Sequence, residues 1–211
     1  MQVTVKHLRP FGPGIMNTQI PENIVKNLNN YIDKIIADKA KAQKLDYGEN
    51  LAGDVTQEFL IENEVSKSTG WLEFLANGTK HYIKENTGKD VKKFILLKTW
   101  VVRQFENEYN PIHWHNGHIS GAGFLKLPNS FGDSKQKKKN RQYVGGRLDL
   151  IHGSRMFMSQ SIYSIQPKVG DFYFFPNYLM HTVYPFKDTK EERRSISFNA
   201  SVDGEIYNVY S

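Results

Sequence analysis

Three of the seven histidines fall in one short run, His113-Trp114-His115-Asn116-Gly117-His118. On an extended strand the side chains i and i+2 share a face, so His113 and His115 can point at one ion, with Trp114 and His118 turned away. A third ligand must come from elsewhere, and His181 is the candidate. It follows the strand-like run Asp171-Phe172-Tyr173-Phe174-Phe175-Pro176 and precedes another strand-like segment. Two ligands at i and i+2 plus one late histidine is the sequence form of a facial triad, which leaves one side of an octahedral ion open. The second position of such a triad usually holds Asp or Glu, whereas here it holds His115. Three neutral imidazoles favour iron, zinc, copper or nickel over magnesium or calcium. An alternative set keeps His115 and His181, adds His118 or Asp149, and leaves His113 to brace a ligand. His7, His81 and His152 have no partner by spacing and read as structural.

A second chemical signal lies near the C-terminal end. In Arg193-Arg194-Ser195-Ile196-Ser197-Phe198-Asn199 a period of two puts Arg193, Ser195, Ser197 and Asn199 on one face and Ile196 and Phe198 on the other. The apolar face packs on a core, so the polar face lines a cavity. An arginine there, beside a serine hydroxyl, suits a carboxylate held by two parallel charge-assisted hydrogen bonds. Arg194 falls on the opposite face unless a bulge exchanges the two.

These residues need a scaffold. Residues Gln2 to Leu8 alternate as a short strand, closed by Pro10, Gly12, Pro13 and Gly14. Ile24, Val25, Leu28, Tyr31, Ile32, Ile35 and Ile36 keep a helical period from Pro21 to about Ala42, and Trp71, Leu72, Phe74, Leu75, Tyr82 and Ile83 predict a second helix from Ser68 to Asn86. Between them a glycine-bearing loop feeds a short strand or turn around Glu58-Phe59-Leu60-Ile61. From Lys92 the character changes to strands: Phe94 to Phe105, the histidine segment after Asn110-Pro111, Gly123 to Leu127, Gly146 to His152, Ser161 to Ile165, Phe172 to Phe175 and Arg193 to Ser201. Short strands preceded by amphipathic helices predict a mainly β fold, a jelly roll with helices on one outer face. One domain spans 1–211, with helical support over about 1–90 and a β core over about 91–203. Trp71, Trp100 and Trp114 read as packing residues.

The formal charge is +6. Much of the excess sits in Lys135, Lys137, Lys138, Lys139 and Arg141, a segment without apolar periodicity that reads as a solvated loop, or as a lid over a substrate mouth, so the charge does not argue for a nucleic-acid partner. Cysteine is absent, which excludes disulfides and thiolate metal sites and agrees with a reducing cytoplasm. There is no signal-like start and no apolar run long enough to span a bilayer. The expectation is a cytoplasmic protein, in the host cytoplasm if the source is viral.

His113-Trp114-His115, Ser120-Gly121 leading into Phe124-Leu125, Gly145-Gly146-Arg147-Leu148, Gly170-Asp171 with Phe174-Phe175-Pro176 and His181, and Arg193-x-Ser195-x-Ser197-Phe198-Asn199 together resemble the Fe(II)/2-oxoglutarate-dependent oxygenases. More narrowly, they are similar to oxygenases of bacteria and marine phages related to prolyl 4-hydroxylases. The resemblance covers about residues 95 to 201. It implies a double-stranded β-helix holding Fe(II) through His113, His115 and His181, with the cosubstrate 2-oxoglutarate chelating the metal and its far carboxylate held by Arg193 and Ser195. It implies a dioxygenase that uses 2-oxoglutarate and dioxygen to hydroxylate a peptide or protein side chain, with a small-molecule substrate also open. The rivals are a cupin-type metal-binding dioxygenase or isomerase, which lacks its usual glutamate between Asn116 and Gly121, and a non-enzymatic binding protein whose basic loop engages an acidic partner.

Overall fold

The computed structural model describes residues 5–8, 12–135 and 143–208. Lys137, Lys138, Lys139 and Arg141 of the basic segment, and with them the expected lid, lie outside the described residues, as does the start of the first expected strand. In chain order the elements are β1 (Lys6–Leu8), β2 (Ile15–Gln19), α1 (Glu22–Ala37), α2 (Lys39–Leu45), β3 (Gln57–Leu60), α3 (Asn63–Ser68), α4 (Trp71–Thr87), β4 (Phe94–Gln104), β5 (Asn110–His113), β6 (Ile119–Lys126), β7 (Leu148–Ile151), β8 (Ile162–Ile165), β9 (Asp171–Pro176), β10 (Met180–Val183), β11 (Arg193–Val202) and α5 (Gly204–Tyr207). The strands form two antiparallel sheets, a larger one ordered β1-β2-β9-β6-β11-β4-β3 and a smaller one ordered β5-β10-β7-β8. This is the jelly roll expected from the strand pattern.

The layers follow from the side-chain periods. Ile24, Val25, Leu28 and Ile32 of α1 and Trp71, Leu75, Tyr82 and Ile83 of α4 are buried in one cluster with Val101, Phe172, Phe174, Ile196 and Phe198, so both helices cover the outer face of the larger sheet. Gly78 permits the approach of α4. A Cβ there would come within 2.3 Å of Phe174 Cζ, which outweighs the roughly 1 kcal/mol that glycine costs inside a helix. A second cluster, with Ile15, Phe124, Leu148, Leu150, Tyr173, Phe175, Leu179 and Val183, fills the space between the sheets. The turn into β9 depends on Gly170, whose φ of +90° favours glycine.

Three local expectations change. The helix expected to reach Ala42 ends at Ala37, because Asp38 turns extended and its carboxylate accepts hydrogen bonds from the amides of Ala40 and Lys41, both 3.1 Å, capping α2 as a separate helix. The N-terminal part is not only helical support: β1, β2 and β3 all join the larger sheet, and β2 was not anticipated. His115 lies past the end of β5 instead of within a strand.

Arg194 faces the helices, as the alternation requires. Its guanidinium reaches Asp33 of α1 at 2.8 Å, the Asn29 side chain at 2.9 Å and Glu192 at 2.8 Å, and Arg103 of β4 donates to the same Glu192 oxygen at 2.7 Å. Burial alone would raise the Glu192 carboxyl, but the hydrogen bonds and charges of Arg194 and Arg103 take it from an ordinary 4.5 down to about 2. Glu192 therefore adds stability above about pH 4.5, and that contribution disappears as the pH falls toward 2. Glu192→Ala leaves two largely buried cations facing each other and is expected to destabilise the fold by about 3–5 kcal/mol at pH 7. Urea unfolding at pH 7 and pH 3 checks this: the penalty should shrink at the lower pH.

Candidate metal centre

β5 and β10 are neighbours in the smaller sheet, and His113 stands directly opposite His181 in their register. His115, two residues beyond β5's last position, is returned to the same place by a reciprocal backbone hook. Its N–H donates to Asn177 O at 3.0 Å, and the Asn177 side-chain amide donates to His115 O at 3.0 Å. The outcome is a group of three imidazoles whose ligating atoms all lie within 4.8 Å of one another, arranged so that they could hold a metal ion.

The hydrogen bonds set the tautomers. Nδ1 of His113 lies 2.7 Å from Pro111 O and Nδ1 of His181 lies 2.9 Å from Leu179 O. A carbonyl only accepts, so both Nδ1 atoms carry the proton and each Nε2 is left with a free lone pair. Nε2 of His115 and Nε2 of His181 are 3.1 Å apart, a separation at which two nitrogens must share a proton or a cation. Trp100 packs edge-on to His115 and Phe175 edge-on to His181, which holds the rings in place. Burial lowers the pKa of all three rings. For His115, helped by His181, His113 and Lys98, it falls to about 2, and for His181, helped by His113, to about 3. Neutral imidazoles bind a metal without first losing a proton.

The opposite wall comes from the larger sheet. Arg193, Ser195 and Ser197 of β11, Trp100 and Val102 of β4 and Phe124 of β6 line one cavity with the three histidines. Arg193 is 1% exposed. Its Nη1 donates to Ser195 Oγ at 3.2 Å, its Nε donates to Gly146 O at 3.1 Å, and its guanidinium lies 5.2 Å from the centre of the Phe124 ring. Among the described residues no carboxylate forms an ion pair with it, and burial pulls its pKa down to about 9. A buried guanidinium without an anion is costly, and a bound carboxylate would relieve it.

Of the other sequence candidates, His118 is turned elsewhere: its Nδ1 accepts from Val202 N at 3.1 Å and its ring stacks on Tyr207. Asp149 sits on β7 between inward-facing Leu148 and Leu150 and so points off the far face of the smaller sheet. His7 and His81 meet each other, Nε2 to Nε2 at 3.2 Å, at the molecular surface. Trp114 is not a packing residue, being 65% exposed at the mouth of the site. Asn177, which positions His115, carries no signal in the sequence, because a lone asparagine after Pro176 reads as turn chemistry. Among the described residues no helix is long and apolar enough to cross a membrane.

The donor set suits a borderline divalent ion, and the unpaired guanidinium across the cavity suits a dicarboxylic acid, so the residues present fit Fe(II) and 2-oxoglutarate. The redox-silent Ni(II) is expected to raise the thermal midpoint progressively with the logarithm of its concentration above Kd, a chelator to reverse the shift, and His181→Ala to remove it. A shift that survives His181→Ala would place the ion elsewhere.

Comparison with known proteins bears on the same residues. The sequence profile of a family described as "Putative 2OG-Fe(II) oxygenase" matches residues 98–199. No curated protein matches the chain by sequence. Among solved structures, a Pseudomonas putida prolyl-4-hydroxylase is 14% identical with a TM-score of 0.58, covering 88% of this chain and 91% of its own. The viral collagen prolyl hydroxylase of Paramecium Bursaria Chlorella virus-1, in its 2-oxoglutarate complex, is 14% identical with a TM-score of 0.52, covering 87% and 94%. SnoN from nogalamycin biosynthesis, a non-heme alpha-ketoglutarate-dependent epimerase, is 14% identical with a TM-score of 0.57, covering 89% and 77%. At these identities the structures establish a shared fold, while the family match runs from β4 to β11 and takes in all three histidines, Arg193 and Ser195. The match to the 2OG-Fe(II) oxygenase family covers just under half of the chain, the part that carries the candidate site, and it supports Fe(II) and 2-oxoglutarate as the cofactors.

Proposed function

We propose that this oxygenase hydroxylates an amino-acid side chain of a peptide or protein, with His113, His115 and His181 as the metal ligands and Arg193 with Ser195 as the grip on the far carboxylate of 2-oxoglutarate. One observation carries the reading: three convergent neutral imidazoles face a buried, unpaired guanidinium across a single cavity. The hydroxylase step and the peptide substrate rest on likeness to the prolyl hydroxylases, and the epimerase among the structural neighbours marks the competing outcome at the same kind of centre.

When bound, the metal and 2-oxoglutarate would activate dioxygen, one oxygen atom ending in succinate as carbon dioxide is lost and the other in the substrate. The chain supplies the rest. Arg193 offers two parallel donors to the far carboxylate, with Ser195 Oγ beside them, which fixes the direction in which the cosubstrate lies. The Pro111 and Leu179 carbonyls hold His113 and His181 in the tautomer that presents Nε2. Val102, Phe124, Leu148 and Val183 keep water from the cavity, which strengthens every charge interaction within it. Trp114 and the polar side chains around it leave the histidine side open for substrate.

Anaerobic addition of Fe(II) and then 2-oxoglutarate is expected to produce the weak visible absorption band of a chelated 2-oxo acid. Arg193→Ala should weaken 2-oxoglutarate on the order of 100-fold, the ~3 kcal/mol typical of truncating one partner of a buried charged pair, with metal binding retained. His181→Ala should abolish both. Succinate release with a panel of proline-containing peptides, free amino acids and oligonucleotides then tests the substrate class, and a gain of 16 mass units in the product separates hydroxylation from epimerisation.

A further inference from the structure

Next to the metal centre, a pocket of about 190 Å³ opens at the edge of the sandwich where β5 faces β3 and β4. Its wall includes His113, His115, Trp114, Lys98, Glu58 and Asn110. Among the described residues, Glu58 is the one acid in that wall. It lies on β3 opposite Val102, and since its neighbour Phe59 packs with Ile35 and Leu45 on the helix side, Glu58 points inward. It is 1% exposed, and neither carboxyl oxygen has a hydrogen-bond partner among the described residues. Leaving a buried polar group unbonded is strongly unfavourable, and a lone carboxyl gains nothing for the fold that leucine would not give. The loop before β3 approaches the carboxyl closely: a Cβ at Gly53 would stand 3.0 Å from Glu58 Oε1.

Lys98 occupies the other end of the same pocket. On β4 it shares the inward face with Trp100 and Val102, four residues from the position paired with Glu58, roughly 13 Å along the strand. Its ammonium lies over the rings of Tyr47 and Trp100 at 5.2 and 5.4 Å and makes no ion pair among the described residues. The pocket is therefore polarised, with an unbonded acid at one end and an unpaired ammonium at the other, beside the open side of the centre.

We propose that Glu58 and Lys98 select a substrate with a basic nitrogen at one end and a carboxylate or carbonyl at the other, the chemistry of a lysine or arginine residue, free or within a peptide. Glu58 accepts from the ammonium or guanidinium, Lys98 donates to the acid or carbonyl end, and the chain between them passes the metal. Burial, with the nearby Asp46 adding to it, raises the Glu58 pKa to about 7, so the carboxyl is partly protonated near neutral pH and an arriving cation would draw it into the ionised form. This inference rests on the oxygenase reading above.

The test uses protein loaded with Ni(II) and 2-oxoglutarate and reads binding by the fluorescence of Trp100 and Trp114, which line the pocket, so that no turnover is needed. The probes are L-lysine and L-arginine, their neutral counterparts L-norleucine and L-citrulline, and the Nα-acetyl methylamides of lysine and arginine as peptide mimics. Lysine or arginine is expected to bind at least tenfold more tightly than its neutral counterpart, and Glu58→Gln should erase that difference. Lys98→Met should weaken the free amino acids more than the methylamides, and tighter binding of the methylamides would identify a peptide as the source. Glu58→Leu should lose the same preference while raising the thermal midpoint by a few degrees, since it removes an unbonded buried polar group. Equal affinity for charged and neutral probes, or a preference that survives Glu58→Gln, overturns the proposal. The 2-oxoglutarate absorption band is measured on the same samples loaded with Fe(II): its absence defeats the oxygenase assignment, whereas a normal band with no preference for cations defeats only this inference.

Discussion

A guanidinium sealed between two sheets, with no carboxylate paired to it among the described residues, is the interaction around which this protein is arranged. Arg193 keeps its place because β11 runs through the middle of the larger sheet, paired on both sides with β4 and β6. Its Nε is tied to Gly146 O and its Nη1 to Ser195, so the group is held in one orientation without being neutralised. A fold selected for stability alone would place an apolar side chain there. The unneutralised charge makes sense as half of a contact whose other half is a carboxylate ligand, and everything facing it, the three imidazoles included, is set at the distance between two sheets.

The two faces of β11 divide the work. Ile196 and Phe198 fasten the strand to the helices, while Arg193, Ser195 and Ser197 look into the cavity. The outer face also controls the inner one. Trp71 of α4 donates to Thr99 Oγ1 at 3.0 Å, and Thr99 Oγ1 donates to Ser197 O at 2.7 Å, so the helix layer is bonded to the cavity strand through β4. Arg194, one residue from Arg193, extends the same logic to α1 through Asp33 and Asn29. Adjacent arginines thus differ in their surroundings: Arg194 is paired with carboxylates and fixes the helix, while Arg193 has no carboxylate partner among the described residues and faces the cavity.

The alternation of β11 was legible because a long central strand imposes its period on every residue, and it separated Arg193 from Arg194 without further help. The histidines were legible by type and spacing, and their convergence followed from His113 and His181 standing opposite each other across one ladder. What the sequence concealed lies at edges and turns. β3 is an edge strand of four residues, Gln57-Glu58-Phe59-Leu60, whose place reads in the sequence as a short strand or turn, but nothing in so short a run tells which face its carboxyl takes. His115 sits beyond its strand and depends on Asn177, sixty-two positions away, a pairing that no local pattern encodes. The break at Asp38 defeated a continuous helical period because the carboxylate of one residue offered the backbone a better partner than the helix did.

Counting charges shows why His115 matters beyond its geometry. A centre with one carboxylate ligand balances a divalent ion, a doubly charged 2-oxo acid and one buried guanidinium to zero. With three imidazoles the same set carries one net positive charge in surroundings of low dielectric, where an uncompensated charge is expensive. The compensating group need not be a ligand, because a negative charge on an adjoining wall lowers the energy of the whole set. Glu58 is the acidic residue on that wall, buried and otherwise unbonded. Lys98 lines the same pocket, so an ionised Glu58 offsets that ammonium first, and a three-imidazole centre would keep its extra positive charge until a further anion joins it.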